Sequence, residues 1–305
     1  MSICIFYEKR FFRLASRLSQ ILNEKGFKSS IYESSNLFNE IFLDFSFDYI
    51  LVIDEDEFQP VLSKAMKLHK QLKTRGLLIY DISDTDEMFI EKHLNTLRNS
   101  KDIRVLRSQH SIGKNYSCEH WFVMSPYLTY STLDCTDQYR NCSKKRKVLF
   151  RGSVFNTDEN EYLNLRKEAL DILFESLGED LTSCYPDSFL SQDAYLDELS
   201  MFSLCFCPPG SADLTWRMVE SCFVGTIPVF TEFDRRQATY YDDIFDKTNS
   251  FTLPTDCDAL HNALKSRATM LRMANRCRSL YTNHNNPVVI ANHIISNLPG
   301  EIYDN

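Results

Sequence analysis

Hydrophobic positions along the chain follow two alternating periods. Short runs that are apolar almost without interruption, ICIFY (3–7), DYILVID (48–54) and GLLIYD (76–81), are separated by stretches in which apolar residues recur every three or four positions. The first such stretch sets Phe12, Leu14, Leu18, Ile21 and Leu22 at helical spacing and stops at Gly26; a second sets Val61, Leu62, Ala65, Leu68 and Leu72 the same way. KSSIY (28–32), IRVLR (103–107) and HWFVM (120–124) read as further strands. Continuous apolar runs between helices predict a parallel sheet covered on both faces.

The pattern breaks over STLDCTDQYRNCSKKR (131–146), a polar stretch expected to link two domains, and then resumes. RKVLFRGS (146–153) is a strand with a glycine turn, NEYLNLRKEALDILFESLG (160–178) a helix ending at Gly178, LCFCPPGS (204–211) a strand and turn, DLTWRMVESCFVG (213–225) a helix, and TIPVF (226–230) the next strand. PVVIANHIISNL (287–298) is apolar enough to pack as a last helix. The expected organisation is α/β: a Rossmann-like domain over 1–140, a second over 141–286, and a C-terminal helix over 287–305 packing back toward the first. In such sheets ligands bind beyond the carboxyl ends of the strands, so a cleft between two such domains is the expected site.

Composition narrows the partners. The 305 residues carry a formal net charge of −8, which argues against nucleic acid, since phosphate contacts need a basic face. Hydrophobic content of 43%, with 22 Phe and 15 Tyr, is enough for sizeable cores. No apolar run approaches the roughly 18 residues of a membrane span, and the N-terminal stretch lacks a signal-peptide pattern. None of the ten cysteines forms a C-x-x-C pair and several sit in apolar runs, so a reducing, cytoplasmic setting without a disulfide framework is expected.

The densest chemistry lies in CFCPPGSADLTWRMVESCFVGTIPVF (205–230). Two prolines stop a strand, Gly210 permits a turn, Ser211 or Asp213 can cap the following helix, and Gly225 closes it. Arg217 then falls in the opening turns of a helix, where the backbone favours acids over cations. A helix N-terminus with an Arg beside it is a diphosphate site in outline, because free N–H groups and a guanidinium both favour anionic oxygens. The plainer account pairs Arg217 with Glu220 at i,i+3 on a solvated face.

Two blocks resemble the exostosin-like glycosyltransferases: KVLFRGSVFNTDENEYLNLRKEALDIL (147–173), with its strand, Gly turn and downstream "R..L" helix, and YLDELSMFSLCFCPPGSADLTWRMVESCFVGTIPVF (195–230). The likeness covers only the C-terminal half. It implies a GT-B architecture, a UDP-sugar donor held by the C-terminal domain, and transfer with inversion to a glycan hydroxyl. By position, Arg151 and Gly152 would lie in a donor-side loop, with Gly210, Ser211, Thr215, Arg217 and Glu220 in the motif proper. Arg217 and the helix end would offset charge on the diphosphate, so no metal or other cofactor is expected. Glu220 is suited to ribose hydroxyls, and Arg151 to the diphosphate or the uracil edge. The family commonly carries a membrane anchor, which is not found here. The stretch after IPVF, TEFDRRQATYYDDIFD (231–246), departs from the family pattern, so its sugar preference does not carry over.

An inverting enzyme also needs a general base. By strand count in a Rossmann sheet, the acids after the first and fourth strands, Glu8 and Asp81, are best placed. Two other readings compete. Asp54/Asp56 and Asp84/Asp86 each follow a strand as Asp-x-Asp, the arrangement by which GT-A enzymes hold Mg²⁺ or Mn²⁺ on donor phosphates. Acids opening a helix are equally ordinary caps in any α/β domain. A non-catalytic module that only binds a nucleotide sugar or glycan is the other alternative.

Overall fold

The computed structural model describes residues 1–7, 12–35, 46–54, 58–81, 101–107, 139, 143–154, 161–186, 188–208, 216–232 and 245–299. The chain divides into two compact units: one of Met1–Ser111, Asn115–Ser131 and Asn286–Asn305, the other of Ile112–Lys114 and Thr132–Asn285.

The first unit is built on five parallel strands, β1 (Ser2–Tyr7), β2 (Lys28–Glu33), β3 (Tyr49–Asp54), β4 (Gly76–Asp81) and β5 (Ile103–Arg107), in the order β2-β1-β3-β4-β5. Both faces of this sheet are covered, which explains why its strands read as continuous apolar runs. Ile3 and Ile5 of β1 pack on one side with Leu14, Leu18, Ile21 and Leu22 of α1 (Phe12–Glu24). Cys4 and Phe6 point to the other side and meet Ala65 and Leu68 of α2 (Phe58–Leu72). Gly26, with φ of 88°, ends α1 in the left-handed region that glycine adopts freely. Phe12, counted on the apolar face of α1 by its spacing, is half exposed and stacks on Tyr7, with ring centroids 5.8 Å apart.

The second unit repeats the topology. Its strands are β6 (Lys145–Gly152), β7 (Thr182–Pro186), β8 (Phe202–Phe206), β9 (Ile227–Thr231) and β10 (Phe251–Leu253), all parallel, ordered β10-β9-β8-β6-β7. Helix α3 (Glu161–Leu181) breaks its helical geometry at Gly178 (φ 71°, ψ 173°), the expected stop, and runs three residues further. It is followed by α4 (Gln192–Ser200), α5 (Trp216–Val224), α6 (Cys257–Lys265) and α7 (Arg267–Leu280). The last helix, α8 (Pro287–Ser296), belongs to the first unit: Ile290, Ala291 and Ile294 are buried in the same cluster as Ile3 and Leu14. No helix among the described residues is long and apolar enough to cross a membrane.

The shared strand order fixes where each sheet opens. Chain connections leave the first strand of each unit in opposite directions, so the crevice forms between β1 and β3 in one unit and between β6 and β8 in the other. This corrects the strand count behind Asp81. A six-stranded dinucleotide-binding order would set the first strand beside the fourth, but here β1 pairs β3, and β4 lies one strand further out. Asp54, the last residue of β3, takes the position expected of Asp81.

Candidate functional site: the carboxyl rim of the second sheet

The switch point of the second sheet carries two guanidinium groups. Arg217, the second residue of α5, extends its Nη2 to the carbonyl of Arg151 at 2.7 Å, at the carboxyl end of β6. Its guanidinium carbon lies 5.2 Å from the centroid of the Phe150 ring. Arg166, on α3, reaches the same loop from another helix, with Nη1 2.8 Å from the carbonyl of Ser153. Two carbonyls of the same short stretch, those of Arg151 and Ser153, thus each accept from a guanidinium.

Arg217 is short of counter-charge. The Arg217 Nε is buried without a hydrogen-bond partner, and among the described residues the side chain forms no ion pair. The plainer account of Arg217, an i,i+3 pair with Glu220, is therefore not what the structure contains. Burial works against the Arg217 charge, but the Tyr195 hydroxyl and the Cys205 and Cys207 thiols around it hold its pKa above the usual arginine value. Arg166 is pushed down to about 10, by burial first and the neighbouring Arg217 charge second. It remains a cation at neutral pH.

Gly152 is what allows this approach. Its φ is 153°, and a Cβ there would stand 2.5 Å from Arg217 Nη2. Any larger residue collides with the guanidinium as well as straining the backbone. Glu220, one turn along α5 from Arg217, is 5% exposed, and Ser221 beside it donates its hydroxyl to the Arg217 carbonyl at 2.6 Å. Glu220 is thus buried against the unit rather than displayed on a solvated face.

Arg151 departs from its expected role. Its Nε and Nη2 hold the Glu198 carboxylate of α4 at 2.6 and 2.8 Å, and its Nη1 donates to Ser188. The carboxylate raises its pKa further. A guanidinium forked onto a carboxylate has spent its best donors, so Arg151 meets the site through its backbone carbonyl instead of its charge. Arg166, conversely, lies in the "R..L" helix of the first resembling block, yet helical spacing alone does not distinguish it from a surface residue. Its tell is position: it stands one helix beyond the strand whose end the glycine turn marks.

Of the other expected site residues, Gly210, Ser211, Thr215, Glu8, Asp56, Asp84 and Asp86 lie outside the described residues. Asp81 and Asp54 end β4 and β3. No cluster of three or more metal-ligating side chains occurs among the described residues.

No protein-family model matches the sequence, an exostosin-like one included. No curated protein matches it. Among solved structures, a sucrose-phosphate synthase from Thermosynechococcus elongatus aligns over 97% of this chain and 98% of its own, at 10% identity and a TM-score of 0.53. The Anabaena protein HepE in complex with UDP-glucose aligns over 98% and 99%, at 12% identity and a TM-score of 0.49. Two separate five-stranded parallel sheets are not the GT-A fold weighed as an alternative. Over nearly its whole length the chain has the fold of the GT-B glycosyltransferases.

Proposed function

We propose that this protein is a glycosyltransferase that moves a sugar from a UDP-sugar to a glycan hydroxyl, with inversion and without a divalent metal. The observation that carries the reading is the Arg217–Arg166 pair at the switch point of the second sheet, where two half-buried cations reach one stretch of carbonyls. The GT-B fold is consistent with it, and the exostosin-like likeness of 147–173 and 195–230 supplies the donor class. In this reaction the acceptor hydroxyl attacks the anomeric carbon from the face opposite the diphosphate. The bond from that carbon to the diphosphate oxygen breaks, a base takes the hydroxyl proton, and UDP leaves with the bonding pair. Arg217 and Arg166 offset the charge that develops on the leaving oxygen, so the cation that a metal would supply is already present. Glu220 is the acid suited to the ribose hydroxyls, on the same helix as Arg217.

The deciding experiment is turnover by Arg217→Ala. Loss of one preorganised charge-assisted donor lowers the rate about 100- to 1000-fold. Arg217→Lys restores only part of it, because an ammonium lacks the planar fork. Undiminished UDP release by Arg217→Ala would end the assignment. UDP-sugar binding without release of UDP, across a panel of glycan acceptors, would identify a binding module instead. Full activity in EDTA is expected; activity lost in EDTA and restored by Mn²⁺ would overturn the metal-free mechanism.

A further inference from the structure

The carbonyl that receives Arg217 stands on the least supported part of its strand. β6 pairs with β8 as far as Leu149 and Cys205, so among the described residues Phe150, Arg151 and Gly152 are laddered by β7 alone. Gly152 lies opposite Pro186, which has no N–H to give the ladder, and β7 is itself an edge strand. The peptide group whose oxygen accepts from Arg217 joins Arg151 to this glycine, whose backbone is the least restricted of any residue type. Main-chain pairing alone leaves that oxygen poorly fixed.

The Arg151 side chain supplies what the ladder lacks. Its Nε and Nη2 fork onto the Glu198 carboxylate, its Nη1 donates to the Ser188 hydroxyl, and its guanidinium carbon lies 4.4 Å from the centroid of the Tyr185 ring. The side chains of Arg151 and Glu198 are only 10% and 18% exposed. Parting such a pair leaves a charge buried without its partner, so the fork resists disruption. Glu198 itself stands on α4, which is seated by the fully buried Leu196 and Leu199. The residue whose carbonyl holds Arg217 is thus pinned through its side chain to a packed helix.

We propose that Glu198 is a positioning residue: by holding the Arg151 side chain it fixes the Arg151 carbonyl, and through that carbonyl it sets Arg217 where it meets the donor diphosphate. The proposal rests on the reading of Arg217 as a diphosphate ligand. The Arg217 guanidinium is placed by its 2.7 Å hydrogen bond to this carbonyl and by the Phe150 ring, and both contacts lie in the singly laddered end of β6. A shift of that end carries Nη2 with it, and preorganised donors lose their value when they are displaced. The arrangement also accounts for an Arg151 side chain that faces an acid: the residue serves the site with its backbone, and its charge secures the backbone. A purely structural fork, joining α4 to β6, predicts a loss of stability and the same change in ligand binding whether Arg217 is present or not.

The test is a mutant cycle read by calorimetry of UDP binding to the full chain. Arg151→Met/Glu198→Met removes the fork without leaving a lone charge and keeps the carbonyl; Glu198→Gln and Glu198→Asp provide single variants should the double one not fold, with circular dichroism verifying each. The double variant is expected to bind UDP about tenfold more weakly. In an Arg217→Ala background the same change is expected to cost less than about twofold, because the residue it positions is gone. Glu198→Gln follows the double variant, and Glu198→Asp, which keeps the charge, recovers part of the affinity. Equal losses with and without Arg217 overturn the proposal and make the fork structural. Tighter UDP binding by Glu198→Gln also overturns it, since the released Arg151 guanidinium would then be a phosphate ligand itself. Unchanged affinity on removal of the fork overturns the positioning role and leaves the diphosphate reading standing. Arg217→Ala that binds UDP as the wild type does, or a wild type that binds none, overturns the diphosphate reading and this proposal together.

Discussion

The two sheets have the same strand order and opposite rims. Strands of the first end at Tyr7, Glu33, Asp54, Asp81 and Arg107; strands of the second end at Gly152, Pro186, Phe206, Thr231 and Leu253. Three of the five carboxyl ends in the first sheet are acids, and none is in the second, where Arg166 and Arg217 converge instead. The amino ends differ in the same sense. In the first unit carboxylates tie the strand starts together: Asp48 accepts from the Ser2 amide at 2.7 Å, and Asp102 from His69 at 2.8 Å. In the second unit cations do so, with the Lys144 ammonium on the Phe202 and Val224 carbonyls and Arg278 on those of Tyr139 and Val224. Topology puts a crevice in each unit, and the rim charge decides what it admits. An acidic rim repels a diphosphate and suits proton removal; a rim of guanidiniums does the reverse.

The largest expected effect breaks the first rim. Removing a general base typically costs about 100- to 10,000-fold in rate. Glu8 follows β1 and Asp54 ends β3, the two strands that flank the crevice, so Glu8→Gln or Asp54→Asn is expected to show that loss, and Asp81→Asn less than tenfold. Rates measured under saturating donor would separate the three. A dominant effect at Asp81 would mean that strand order does not locate the chemistry.

On the second rim, Gly152→Ala drives a Cβ into Arg217 Nη2 and is expected to lower turnover about 100-fold, close to the loss from removing the guanidinium itself. Pairing it with Arg217→Ala makes the cause visible, because the two losses should not add. Full additivity would place Gly152 on a separate task. A smaller change comes from Arg166→Met. It removes one of two cations and is expected to weaken pyrophosphate binding about tenfold, with a reduced dependence on salt.

The fold was largely legible because it rests on buried strands. ICIFY, DYILVID, GLLIYD and TIPVF are runs whose apolar residues are buried in the sheets, and such runs announce themselves. Strand β7 gave no such signal: TSCYP is short and polar, as an edge strand with half-exposed residues can be, and α4 after it went unread too. Arg217 was legible through its anomaly at a helix start. Arg151 was expected at the diphosphate and Arg166 was not singled out, because sequence gives the position of a guanidinium but not the carboxylate that captures it. Glu198, forty-seven residues from Arg151, takes up that guanidinium, and the pairing exists only after β7 and α4 have brought the acid over β6.

The smallest expected effect concerns the amino ends and is read by acid. The Ser2 amide chiefly holds the Asp48 carboxyl below its usual pKa, against a partial desolvation cost, with help from the Ser2 hydroxyl and the Arg75 charge. A carboxyl with a lower pKa in the folded than in the unfolded chain stabilises the fold above the unfolded value, about 3.9, and ceases to as the pH falls through the folded one. Asp102, lowered chiefly by its hydrogen bond to His69, acts in the same direction. Asp48→Asn is therefore expected to reduce stability at pH 7 by about 1 kcal/mol, and by nearly nothing once the pH is well below the folded-state pKa. Lys144→Met, at the matching edge of the second unit, removes hydrogen bonds to the Phe202 and Val224 carbonyls and the Thr226 hydroxyl, none of which titrates, so its cost is expected to be the same at both pH values. Urea unfolding of the two variants at pH 7 and in acid makes the comparison. A loss for Asp48→Asn that does not shrink in acid, or one for Lys144→Met that does, would show that the charge at these strand starts is not what distinguishes the two units.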